Sequence, residues 1–154
     1  MSEDEKMTVK EFHRKMAVET NNGVWPFLDK ANPTQEDLEE ALHMAHASRY
    51  HWSKVGQPIN IGRAEYVISR VYSAMKRAEP AVYHAKRCLE MTEQAGVKDF
   101  DIAFAYEVMT RAHALAGRKA DCKKLRALAQ KAIDDVKEPE DKKICQTELD
   151  KVTC

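Results

Sequence analysis

The stretch Ile68-Ser-Arg-Val-Tyr-Ser-Ala-Met75 returns 41 residues later as Met109-Thr-Arg-Ala-His-Ala-Leu-Ala116. The same shift carries Ala81 onto Cys122 and Cys88 onto Ala129, and a shift of 40 carries Ala41 onto Ala81 and Ala45 onto Ala85. Self-similarity at this period marks one supersecondary unit copied in tandem. Each copy reads as a pair of helices with small residues where the two cross. One pair cannot bury its apolar face alone, so the copies must stack. No other property of the chain narrows the possible folds as far.

Around the copies the apolar residues keep the helical period. Val9, Phe12 and Met16 predict an amphipathic helix over 8–20, stopped by Asn21-Asn22-Gly23, with Trp25-Pro26-Phe27-Leu28 as a short apolar segment behind it. Thr34 predicts the cap of a second helix, with Asp37 at capping-box distance. Its stripe is Leu38, Ala41, Leu42, Ala45, Ser48, Trp52 and Val55, closed by Gly56 as a C′ residue. A third helix spans about 60–76 around Val67, Ile68, Val71, Tyr72 and Met75. A fourth starts near Glu79 with Pro80 at N1 and ends at Ala95-Gly96. Asp99 caps a fifth helix, which stops at Gly117. A sixth runs about 119–135, and Pro139 precedes a terminal helix over Glu140–Val152. No strand pattern competes, and 5 Gly and 5 Pro in 154 residues exclude collagen-like and linker-like classes. The expectation is an all-α single domain of about seven helices. It divides into a capping helix and apolar segment over 1–33, a repeat core over 34–136 and a capping helix over 137–154.

Tyr72 is followed by Ala81, Ala85 and Cys88, and His113 by Gly117, Cys122 and Ala129. A ring thus stands in the first helix of each unit, with small residues in the turn and the second helix. In this the units resemble divergent tetratricopeptide (TPR-like) repeats over roughly 34–136, with lengthened turns between them. The Trp and Leu-Gly of that pattern's first helix and its closing Pro are missing. Strings such as His46-Ala-Ser-Arg-Tyr-His-Trp52 and Asp99-Phe-Asp-Ile-Ala-Phe-Ala-Tyr-Glu107 are also similar to a group of small bacterial repeat proteins. The resemblance implies antiparallel helix pairs stacked as a short right-handed solenoid, with the first helix of each pair lining a concave face. It implies no activity.

Charge sets the class of partner. Lys and Arg number 25, Asp and Glu 25, and the net charge is zero, so bulk capture of nucleic acid or of an anionic membrane is not expected. The opening Met1-Ser-Glu-Asp-Glu-Lys6 is acidic and has no apolar leader core, and no stretch approaches the ~18 apolar residues of a membrane span. These features predict a cytoplasmic protein. The four cysteines form no C-x-x-C pair, which favours a reduced compartment. Cys88 and Cys122 are expected to pack as small apolar residues, with Cys154 exposed.

The concave face implied by the resemblance carries Arg63, Tyr66, Arg70 and Ser73 from the third helix, and Phe104, Glu107 and Arg111 from the fifth. Three arginines with two aromatic rings suit a protein or peptide partner with an acidic or C-terminal carboxylate, held by bidentate Arg–carboxylate pairs. The structural alternative is internal pairing, since Arg111 lies four residues after Glu107. Arg49 and Trp52, at i and i+3, form either a cation–π stack at a helix end or part of a recognition pocket. Association into a homodimer through an exposed helix face is a third possibility.

Histidines offer a reading of a different class. His43 and His46 stand at i, i+3, and His84 and Cys88 at i, i+4. Convergence of these four would make a site for a transition metal such as zinc. With His51, Arg49 and Arg87 they could instead line a small-ligand pocket, of a binding protein or of an enzyme, between the second and fourth helices. Packing explains Cys88 equally well. Asp99 and Asp101 are accounted for as helix N-terminal acids, without chemistry. No phosphate loop or nucleophile elbow is present.

Overall fold

The computed structural model describes residues 4–154, so the acidic opening Met1–Lys6 lies partly outside the described residues. Seven helices follow one another: α1 (Val9–Leu28), α2 (Gln35–Val55), α3 (Pro58–Ala74), α4 (Ala78–Ala95), α5 (Phe100–Leu115), α6 (Lys119–Asp134) and α7 (Pro139–Asp150). No strand occurs among the described residues. No helix among them is long and apolar enough to cross a membrane.

Consecutive helices pair as α1·α2, α3·α4 and α5·α6, and the pairs stack into a short helical solenoid. The odd-numbered helices also pack on one another, α1 on α3, α3 on α5 and α5 on α7, whereas α2, α4 and α6 do not. The odd helices therefore form the inner, closer-packed layer. Small residues let the pairs approach: Ala41, Ala45, Ala81, Ala85, Ala105 and Ala112 all lie in the main core with Val24, Ile68, Val71 and Val108. A second cluster around Ala103, Ile133, Cys145 and Leu149 seats α7 on α5 and α6. A third, of Ala17, Trp52, Ile61 and Ala64, joins the middle of α1 to the end of α2 and the start of α3.

The caps follow local chemistry, with corrections. Thr34 and Asp37 make the capping box, the shorter Asp reaching back to the Thr34 N–H at 2.9 Å. Pro80 is the third residue of α4, still among the N–H groups that no helix satisfies. Gly56 ends α2 in an extended conformation, φ −90°, not the left-handed one. Asp99 precedes α5 but does not cap it; its carboxylate accepts from the Lys137 N–H at 3.1 Å, tying the α4–α5 corner to the α6–α7 turn.

The largest correction is at α1. Asn21-Asn22-Gly23 does not stop the helix, which continues through Pro26 to Leu28. Ala17, Val24 and Leu28 keep one apolar phase across the break signals, and burying that face against α2 outweighs the weak propensities of Asn and Gly. A Cβ on Gly23 would stand 2.1 Å from the Met44 Cε, so the glycine leaves room for the flexible end of the Met44 side chain. Pro26 falls in the last turn and deprives a single carbonyl of its donor.

The cysteine reading is corrected too. Cys122 is buried as expected, but its sulfur is bonded to that of Cys154, which is half-buried rather than exposed. The disulfide joins the start of α6 to the segment after α7. Cys88 and Cys145 are free and buried, and burial pushes both thiols up to about 12.

Candidate functional site

Spacings of three and four residues place Arg63, Tyr66 and Arg70 on one face of α3, and Phe100 and Phe104 on the facing side of α5. With Trp25 of α1 and Ile144 and Glu148 of α7 they line a groove cavity of about 420 Å³ on the inner layer. Its floor is apolar. The Phe104 ring meets the Tyr66 ring edge-on at 5.5 Å. Each rim arginine lies over an aromatic face: Arg63 over Phe100 at 5.5 Å, Arg70 over Trp25 at 5.6 Å and over Tyr66 at 5.8 Å.

The arginines are paired within the protein. Arg63 forks onto Asp101 with two bonds of 2.9 Å. Arg70 donates to the Tyr66 hydroxyl at 2.8 Å and reaches Glu148 at 3.4 Å. Arg111 holds Glu107 at 2.6 Å and Glu148 at 3.1 Å. The Tyr66 hydroxyl in turn donates to Glu107 at 3.0 Å. At the 41-residue shift Tyr66 corresponds to Glu107 and Arg70 to Arg111, so one i, i+4 pair has been copied and the two copies bond to each other. Burial, then the Glu107 charge, raises the Tyr66 phenol far above its ordinary value. Burial pushes Glu148 upward, but the Lys151 bond and the charges of Arg70 and Arg111 outweigh it and hold the carboxyl below the usual range.

The groove thus gathers Arg63, Tyr66, Arg70 and Phe104 of the expected residues. Glu107 is fully buried beneath it and acts as a counter-ion; Arg111 faces a neighbouring cavity. Arg49 and Trp52 lie elsewhere and do not stack on each other. Arg14 stands over the Trp52 ring at 5.5 Å, because α1 runs alongside α2 there, while Arg49 donates to Glu65 at 3.1 Å.

Of the histidines, His46 and His84 come together, with ring centroids 5.5 Å apart. His84 bonds the buried Glu65 at 2.5 Å through Nδ1, and its ring stacks on Tyr72. Burial and the neighbouring His84 charge lower the His46 pKa. Burial pushes Glu65 up, but His84 and Arg49 more than offset it and lower its pKa. The other expected members do not join: His43 is exposed, Cys88 lies against the groove cavity, His51 pairs with His13, and Arg87 pairs with Glu90. No three His, Cys, Asp or Glu side chains among the described residues are disposed to hold a metal ion.

Sequence reasoning missed Trp25, Ile144 and Glu148 as groove residues. Trp25 is found by extending the α1 apolar phase past Gly23. Nothing in the sequence places Glu148, in the terminal helix, beside Arg70 and Arg111 of the repeat core. No family model, curated protein or solved structure matches the chain.

Proposed function

We propose that this chain is an interaction module whose inner groove takes an acidic or carboxylate-bearing segment of a protein partner. The helix pairs are, in this reading, TPR-like repeats, and their stacking creates the groove. One observation carries the proposal: an apolar cavity large enough for an aromatic or branched side chain opens between two arginines already shaped for carboxylates. Asp101 and Glu148 hold those arginines in the free protein. A ligand carboxylate exchanges with one of them while a neighbouring side chain fills the space between Trp25, Tyr66 and Phe104. Exchange of one ion pair for another contributes little net affinity, so the apolar anchor supplies most of it and the arginines supply direction and selectivity.

The test is selection of displayed random peptides on the immobilised protein, followed by fluorescence anisotropy. Enriched peptides should carry Asp, Glu or a free C-terminal carboxylate within a few residues of a large apolar side chain. Arg70→Glu and Phe104→Ala should each weaken them tenfold or more while circular dichroism still shows a folded helical protein. Peptides bound equally well by both variants, or no enrichment at all, would overturn the proposal.

A further inference from the structure

Beside the groove, the last turns of α3 and α5 and the segment after α7 line a second, open cavity of about 390 Å³. Arg70, Lys76, Arg111 and Lys151 line it, and no carboxylate does. The carboxylates that touch these cations are Glu107, on Arg111, and Glu148, on Arg70, Arg111 and Lys151. Four cations against two carboxylates leave two positive charges at one place in a chain whose net charge is zero. Ser73 lines the same cavity, and among the described residues its Oγ is the one buried side-chain polar atom without a hydrogen-bond partner. Cations gather at helix C-termini on dipole grounds alone, but that leaves the hydroxyl unexplained. Buried hydroxyls are nearly always satisfied by protein or by water, and no protein group takes up the donor capacity of this one beside the cationic wall.

We infer that this cavity is an oxyanion site for a phosphate group, free or carried as a monoester. A phosphate carries about −1.5 to −2 charges at neutral pH, which matches the excess, and its oxygens can accept from two guanidinium groups, two ammonium groups and a hydroxyl together. A carboxylate would leave one positive charge unanswered. The backbone at position 76 is one that glycine adopts more easily than lysine. Lys76 adopts the left-handed conformation, φ 61°, where its counterpart one repeat later is Gly117, φ 72°. The two turns are otherwise alike, Arg77 N–H bonding the Tyr72 carbonyl at 3.0 Å and Arg118 N–H bonding that of His113 at 3.0 Å. A lysine thus stands at the cavity in a turn whose repeat counterpart is glycine.

Arg70 lines both cavities, but Lys76 and Ser73 line this one and not the groove, so substitutions there test this site apart from the groove proposal. The test is calorimetric titration of the intact, oxidised chain with inorganic phosphate at constant ionic strength, with acetate as the parallel probe. Saturable 1:1 binding of phosphate is expected. It should weaken at least fivefold in Ser73→Ala and in Lys76→Gly, the second of which eases its turn, so that misfolding cannot explain the loss. No saturable phosphate binding, binding unchanged by both substitutions, or acetate bound as tightly as phosphate would overturn the inference.

Discussion

Glu107 has no exposed surface, and its charge is answered only from within, by Tyr66 and Arg111. Removing one partner of such a pair is far costlier than never having built it. Glu107→Ala should therefore destabilise the fold by about 3 kcal/mol, whereas Tyr66→Phe, which gives up the bond to Glu107 and the one from Arg70 but leaves both charges with another partner, should cost about 1–2 kcal/mol. Urea unfolding followed by circular dichroism measures both. A smaller loss at Glu107 than at Tyr66 would mean that the carboxylate is not the centre of the network. Lys76→Gly should act in the opposite sense and stabilise by about 0.5–1 kcal/mol, since it relieves a left-handed lysine. At this scale the sequence was legible where partners are local: the Glu107–Arg111 pairing follows from spacing alone. It was silent on Glu148, because nothing local brings residue 148 to residue 70.

Helix order and the crossing alanines were readable because the apolar period and the repeat agree, and two independent signals on one phase leave little freedom. The failure at α1 came from giving Asn21-Asn22-Gly23 the weight of local propensity, when burial of Val24 and Leu28 against α2 decides the outcome. The α1–α2 seam also carries a titratable contact, with the Nδ1 atoms of His13 and His51 2.9 Å apart. Burial and the His13 charge hold the His51 pKa below 6.5, its ordinary value. The unfolded chain then takes up the proton more readily than the folded one. Stability contributed by a neutral His51 is present above about pH 6.5 and is lost as pH falls from there toward the lower folded value. The melting temperature should drop between pH 7.5 and pH 5.5, and His51→Gln should shrink the drop. An unchanged slope in that variant would place the pH sensitivity elsewhere, with His46 the next group to replace, since its pKa is lowered in the same direction.

Over the whole molecule, the structure closes at its C-terminal side by the Cys122–Cys154 bond, across a sequence separation of 32. A loop of that length limits the unfolded chain enough for about 3–4 kcal/mol of stability on the chain-entropy model. Reduction should lower stability by up to that amount. Two thiols, those of Cys88 and Cys145, should react in the oxidised chain, and only after denaturation, because both are buried. Four reactive thiols in non-reducing denaturant would show that the bond does not form. The pairing was invisible in the sequence because the partners are brought together only when α7 seats on α5 and α6. The same seating supplies Ile144 and Glu148 to the groove, so the binding face is a property of the complete stack and not of any single repeat. The most direct measurement is therefore a backbone amide chemical-shift map of the ¹⁵N-labelled protein titrated with an enriched acidic peptide. Shifts should concentrate along the inner faces of α1, α3 and α5 and at α7 around Glu148, with the outer layer quiet. Shifts concentrated on α2, α4 and α6, around His46 and His84, would contradict the groove and move the binding site to the opposite face.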